Sequence, residues 1–192
     1  MFYAPAQDKI LRYAEAILAN GLPPGILIID DNWMKDYGMW DFDKHRFPEP
    51  RAMIDTLHGM GFKVMLWMCP YVSADCTMFK ELHGGDLLMK GPDGAPVLRH
   101  WWNGYSAVVD YTKEEGAAWF RRQMDRLIAD YGVDGFKLDA GEPILPGGRI
   151  RRSLSPGHAR CACSRIAKPM PPSGSATRSS NCACAGSSAG RD

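Results

Sequence analysis

The sequence has no apolar run near the roughly 20 residues that a membrane-crossing helix needs, and its formal net charge is only +1. Neither a membrane partner nor a nucleic-acid partner is expected on those grounds. Residues 1–10 hold no basic segment followed by an apolar core, so no signal peptide is read and a cytoplasmic location is the expectation. No G-x-G-x-x-G follows any apolar run, which removes the fingerprint of dinucleotide binding. No close pair of histidines ends a strand, so neither a metal site nor a cofactor is expected. Of six cysteines, Cys69 and Cys76 stand alone, and Cys161/Cys163 and Cys182/Cys184 form two C-x-C pairs. That spacing is tighter than zinc sites use, and all six read as incidental thiols in a reducing compartment.

The sharpest absence is that of Phe, Trp and Tyr throughout residues 147–192. That stretch carries eight basic residues and one acidic, whereas residues 1–146 carry fifteen basic and twenty-one acidic. A segment so poor in apolar side chains cannot bury enough surface to offset its ordering entropy, and disorder is expected there. Its wealth of Arg, Ala, Gly, Ser and Pro with scattered Cys is also what GC-rich codons give when read out of frame. The abrupt break favours that origin over a true basic tail or a low-complexity linker. The expected division is therefore a body, residues 1–146, and a basic tail, residues 147–192.

The body is patterned. Ile10, Leu11, Ala14, Ile17 and Leu18 recur at helical spacing, which predicts a helix over residues 7–20 stopped by Gly21. Ile26-Leu27-Ile28-Ile29 reads as a strand buried on both faces and ends at Asp30-Asp31. An aromatic loop carries Trp33, Tyr37, Trp40 and Phe42. A helix is predicted over residues 49–60, then a strand over residues 63–68. Residues 70–105 form a long excursion with a Gly91-Pro92-Asp93-Gly94 turn and the pair Trp101-Trp102. Residues 107–110 read as a short strand, and Thr112 with Glu115 as a capping box opening a helix to about residue 131. Residues 133–138 form the last strand, closing on Asp139.

Strands alternating with helices imply a parallel α/β fold. The long loops all follow strands, as on the catalytic face of a (β/α)8 barrel. A whole barrel takes about 250 residues, so the expected fold class is α/β, an incomplete (β/α)8 (TIM-type) barrel. Asp30, Asp31, Asp110 and Asp139 stand at predicted strand ends, where side chains converge on one mouth. Asp110, close before Thr112, suits helix-start duty. Trp33, Trp40, Trp67, Trp101 and Trp102 lie in or near the same loops. They serve either as ordinary loop anchors or as platforms for the C–H faces of sugars. Lys137 and Asp139 point the same way on a strand, because side chains alternate with period two. The cation there either keeps a working carboxylate ionised or forms a structural ion pair.

Several segments in unbroken order resemble glycoside hydrolase family 31. They are Ile29-Asp30-Asp31-Asn32-Trp33-Met34, Phe47-Pro48-Glu49-Pro50 with Gly61-Phe62-Lys63-Val64, Leu66-Trp67-Met68-Cys69-Pro70-Tyr71, and Phe136-Lys137-Leu138-Asp139-Ala140-Gly141-Glu142. The resemblance implies a retaining α-glycosidase that cleaves α-linked oligosaccharides or glycosides by double displacement. It implies that Asp139 is the catalytic nucleophile and that Asp30, Asp31, Trp67 and Lys137 bind substrate. The sugar is left open, since α-galactosidase-type families share the Lys-x-Asp strand. The family's preceding β-sandwich, its first barrel strand and its downstream acid/base aspartate find no counterpart in the sequence, so little activity is expected of this chain alone. Two other readings are a non-catalytic sugar-binding remnant and a small metal-dependent hydrolase using Asp30, Asp31, His58 or His100.

Overall fold

The computed structural model describes residues 4–141. The expected tail over residues 147–192 and the boundary before it lie outside them, as do Cys161, Cys163, Cys182 and Cys184. The elements, in chain order, are helix α1 (Gln7–Ala19), strands β1 (Ile26–Ile29), β2 (Met34–Asp36) and β3 (Met39–Phe42), helix α2 (Pro50–Gly59), strands β4 (Lys63–Met68) and β5 (Tyr71–Ser73), helix α3 (Thr77–Gly84), strands β6 (Leu98–Trp101) and β7 (Gly104–Val108), helix α4 (Glu114–Tyr131) and strand β8 (Gly135–Leu138).

Three of these strands build the parallel sheet that carries the site. Its order is β1-β4-β8, with Ile28 opposite Met65 and Trp67 opposite Lys137. One face is the core. Leu27, Ile29, Val64, Leu66 and Met68 are buried there with Ile10 and Ala14 of α1 and Met53, Ile54 and Leu57 of α2. The helices place these residues at positions i, i+3 and i+4, so each presents one apolar stripe to the sheet. The opposite face runs through Ile26, Ile28, Met65 and Gly135, reaches Asp30, Trp67 and Lys137 two residues further along each strand, and ends at Asp139 two residues beyond Lys137. β1 is not buried on both faces as its run of aliphatics suggested: Ile26 is 66% exposed and Ile28 44%. The described helices cover only the side of Leu27 and Ile29, and Ile26 and Ile28 point to the other.

Turns after the helices are short and chemically specified. Pro50 opens α2 at a position where no backbone donor is needed. Gly132 closes α4 with φ +78°, a left-handed conformation that glycine adopts at no steric cost.

The excursions after the strands fold into sheets of their own. The aromatic loop after β1 is the antiparallel hairpin β2–β3. The long segment after β4 is an antiparallel sheet of order β5-β7-β6, with α3 between its strands in sequence. Here the sequence reading needs correction. Residues 107–108 belong to β7, which pairs antiparallel with β5 and β6 and is no part of the parallel sheet. A two-residue turn, Trp102-Asn103, joins β6 to β7, with Gly104 at φ +87°. That local pairing claims the strand for the excursion. The capping box also fails. Lys113 is the residue preceding α4 and makes no side-chain cap, while the Thr112 hydroxyl donates to Asp110 Oδ1 at 2.6 Å. Asp110 thus orders the approach to α4. A Cβ on Gly116 would lie 2.3 Å from the Asp110 carbonyl oxygen, so only glycine lets the helix come this close.

Candidate active site at the strand ends

Period-two alternation aims Asp30, Trp67, Lys137 and Asp139 to the same side of the sheet. The register puts Trp67 directly beside Lys137. The Asp139 N–H donates to the Met68 carbonyl at 2.9 Å, which continues the β4–β8 pairing one residue past the strand and fixes where its carboxylate starts.

Lys137 bridges two carboxylates. Its Nζ lies 3.1 Å from Asp30 Oδ2 and 3.0 Å from Asp139 Oδ2. The Trp67 indole N–H donates to Asp139 Oδ2 at 2.9 Å, and the Ala140 N–H donates to Asp139 Oδ1 at 2.8 Å. Ala140 turns back to do so with φ +55°. A non-glycine residue held in this region costs on the order of 1–3 kcal/mol, a strain that the surrounding contacts must hold in place.

These donors keep Asp139 below the usual carboxylate range. The Trp67 indole contributes most, then the Ala140 amide and then Lys137, against a smaller opposing effect of burial. The sequence reading gave this effect to Lys137 alone. The tryptophan was invisible there because its donor comes from a strand 72 residues away in sequence. Lys137 in turn is held above its ordinary value. Burial favours its neutral form, but the bonds to Asp139 and Asp30 outweigh it.

Asp31 points into a different set of contacts. The Tyr37 hydroxyl sits 2.8 Å from its Oδ1 and 2.9 Å from its Oδ2, and that hydroxyl accepts a hydrogen bond from Trp102 Nε1 at 3.3 Å. Burial, with Asp31 adding to it, pushes the Tyr37 hydroxyl well above its ordinary range, so it stays protonated. Asn32, the next residue, stands at φ +66°, and its carbonyl accepts from Arg46. Arg46 also donates to the Met34 carbonyl at 2.9 Å and bonds Asp43 at 2.9 Å. That one guanidinium clamps the turn that aims Asp31.

Of the five tryptophans weighed as platforms, Trp33 and Trp40 are core anchors, 0% and 2% exposed. Trp33 donates to the Trp67 carbonyl at 2.8 Å, which braces the site strand from behind. Trp67 is 1% exposed, Trp101 is partly buried and Trp102 is 65% exposed. The sequence reading places Tyr37 in the aromatic loop without giving it a site role, and it gives none to Arg46. The signal for Tyr37 was its place before Gly38, whose φ of +89° makes the β2–β3 turn and whose missing Cβ admits Val72.

Asp110 is not in this cluster. His58 is bonded instead to Asp134, at the opposite ends of the strands, and His100 lies in β6, paired with Tyr105. Among the described residues no group of three His, Cys, Asp or Glu is arranged to hold a metal ion, and no helix is long and apolar enough to cross a membrane. A groove of about 570 Å³ runs along β1 between Ile10, Ile17 and Ile26, and it meets the cluster only at Asp30.

Comparison with known proteins bears on these residues as a set. Residues 1–159 match the family described as "Glycosyl hydrolases family 31 TIM-barrel domain". The chain is 38% identical over 137 residues to "Myogenesis-regulating glycosidase" of Mus musculus, covering 71% of this chain and 19% of that protein. It is 32% identical over 141 residues to an "Alpha-xylosidase" of Emericella nidulans, covering 72% of this chain and 18% of that protein. Among solved structures it superimposes with TM-score 0.64 and 28% identity on an α-xylosidase from a soil metagenome complexed with xylose, covering 70% of this chain and 20% of that one. A dextranase of Flavobacterium johnsoniae complexed with glucose gives TM-score 0.65 at 29% identity, over 71% of this chain and 17% of that one. The chain therefore spans about a fifth of the length of the curated relatives it matches.

Proposed function

This chain belongs to glycoside hydrolase family 31, and we propose that its residues 1–146 form the nucleophile-bearing part of a retaining α-glycosidase barrel, with Asp139 as the nucleophile. One observation carries the reading. Asp139 projects past the end of a parallel strand at the barrel mouth, and three donors hold it ionised there.

A carboxylate so placed attacks an anomeric carbon. An Asp139 oxygen forms the bond to that carbon as the bond to the leaving oxygen breaks, and the leaving oxygen takes a proton from a second carboxylic acid. Water then attacks the glycosyl ester and returns Asp139 as the carboxylate. Asp30 and Lys137 present an acceptor and a donor to the hydroxyls of the bound sugar, Trp67 backs that subsite through its bond to Asp139, and Asp31 takes a further hydroxyl. The substrate class is α-linked glycosides. The chain's relatives include α-xylosidases and an α-glucosidase, which favours xylosyl or glucosyl units.

The test is covalent trapping. A 5-fluoro-α-glycosyl fluoride loses fluoride without help from an acid, so it probes Asp139 independently of any proton donor. Intact-mass and peptide analysis of the treated chain should show one glycosyl adduct, on the peptide containing Asp139. Asp139→Asn should show none. A chain that stays unlabelled, or carries the adduct elsewhere, would refute the assignment.

A further inference from the structure

Trp102 is held in place, yet most of its surface is open. It stands in the two-residue turn between β6 and β7, is 65% exposed, and is fixed from three sides. Its Nε1 donates to the Tyr37 hydroxyl at 3.3 Å. Its ring lies 4.4 Å from that of Trp101, which is itself stacked on Tyr71 at 4.2 Å, and 6.3 Å from that of Trp67. The next turn residue, Asn103, reaches Ser73 Oγ at 3.5 Å.

A solvent-facing indole gains little for the fold by being fixed in this way. Four of the remaining five tryptophans, Trp33, Trp40, Trp67 and Trp119, are buried. Those aromatics supply the apolar payload of the core, and Trp102 does not. Its contacts also order the layers of the site. Trp67 touches Asp139, and Trp102 touches Trp67 and, through Tyr37, Asp31. Trp102 is thus one ring further from Asp139 than the buried Trp67, on the open side of it.

We propose that Trp102 is a specificity-determining residue: its exposed indole face stacks the second sugar ring of the substrate, next to the ring that Asp139 attacks. Indole faces suit the C–H face of a pyranose because both are apolar and flat. The polar edge of the same indole is already satisfied by Tyr37, so the face is presented in one orientation and binding loses little rotamer freedom. This proposal rests on the reading of Asp139 as the nucleophile and adds the length of substrate that the site holds.

The test compares one-ring and two-ring ligands on the full chain by isothermal calorimetry. The probes are methyl α-D-glucopyranoside and methyl α-D-xylopyranoside against isomaltose and 6-O-α-D-xylosyl-D-glucose. The second ring should tighten binding about tenfold, the gain from covering one apolar sugar face. That ratio should fall to about one in Trp102→Ala and be largely kept in Trp102→Phe, which retains the ring without its N–H. Thermal melts should show both variants folded, with a midpoint lowered by only a few degrees for the lost hydrogen bond to Tyr37 and the lost ring contacts. One-ring ligands that bind, with a two-ring gain unchanged in Trp102→Ala, would overturn this proposal and leave Asp139 standing. A folded chain that binds none of the four sugars and takes no covalent label would overturn both.

Discussion

The indole N–H of Trp67 donates to Asp139 Oδ2 at 2.9 Å across the β4–β8 pair. The contact exists because the parallel register seats Trp67 opposite Lys137, two residues before the carboxylate it reaches. It is also the largest influence holding Asp139 below its ordinary range.

Removing that donor should raise the acid limit of the reaction. The nucleophile must be ionised, and its lowered pKa keeps it so at acidity where an ordinary carboxylate takes up a proton. In Trp67→Phe the acidic limb of the pH–labelling profile should move upward. Labelling on the plateau should slow by about tenfold, as expected for loss of one charge-assisted hydrogen bond. The measurement is the rate of adduct formation against pH.

Lys137→Met should act more strongly. It leaves Asp30 and Asp139 near one another with no cation between them, and like charges disfavour joint ionisation. The acidic limb should again rise, and one-ring sugar binding should weaken. The parent's stability has a matching pH window. Asp139 is depressed, so its contribution is present above the usual carboxylate pKa and lost as pH falls through its folded value. Lys137 is raised, so its contribution is present below its ordinary pKa and lost as pH rises through its folded value. Denaturant melts of parent and Lys137→Met should therefore differ most between those limits.

Asp134 offers a structural counterpart at the other strand ends. It accepts from the Val64 N–H at 2.8 Å, from Lys63 Nζ at 3.0 Å and meets His58 Nε2 at 2.7 Å. Burial raises its pKa, but these bonds together prevail and leave it lowered. Asp134→Ala should cost about 1–3 kcal/mol, chiefly by stranding the Val64 donor. The difference from the parent should shrink as pH falls and Asp134 protonates. Urea melts at neutral and acidic pH check both statements. Covalent labelling of Asp139 should persist in this variant wherever it is folded.

Trp33→Phe tests the brace behind the site. Trp33 is wholly buried and its N–H serves the Trp67 carbonyl at 2.8 Å. Phenylalanine leaves that carbonyl unpaired and opens a small void, for about 2–4 kcal/mol of destabilisation. The thermal midpoint should fall, and labelling of Asp139 should slow at temperatures where the variant is still folded, because Trp67 loses its support.

The helices α1, α2 and α4 were legible in the sequence because each has a period that one buried face imposes, and the strands β1, β4 and β8 because each is a short, mostly apolar run between turn residues and a polar end. Their short connections were legible through Gly61, Gly132 and Pro50. So was the candidate nucleophile, since Lys137 and Asp139 share a face by alternation alone, and the family resemblance stood on contiguous motifs. The sheets β2–β3 and β5-β7-β6 were not. Their strands are three to five residues long and each contains polar side chains, so none shows the unbroken apolar run that marks β1. Residues 107–110 resemble a strand of the parallel sheet because Ala107-Val108-Val109 is itself a short apolar run.

What the sequence by itself determined was therefore the set of elements with a repeating apolar face or a short apolar run, and the family motifs they carry. The tertiary structure alone decided which donors reach Asp139, that Asp31 is bound to Tyr37, and that Trp102 is open while Trp33 and Trp40 are core. The physical reason is range. Periodicity is a property of neighbours along the chain, whereas a hydrogen bond from Trp67 to Asp139, or from Trp102 to Tyr37, joins residues 72 and 65 positions apart. Those pairings are set only when the strands take their register and the excursions fold back over the sheet's end.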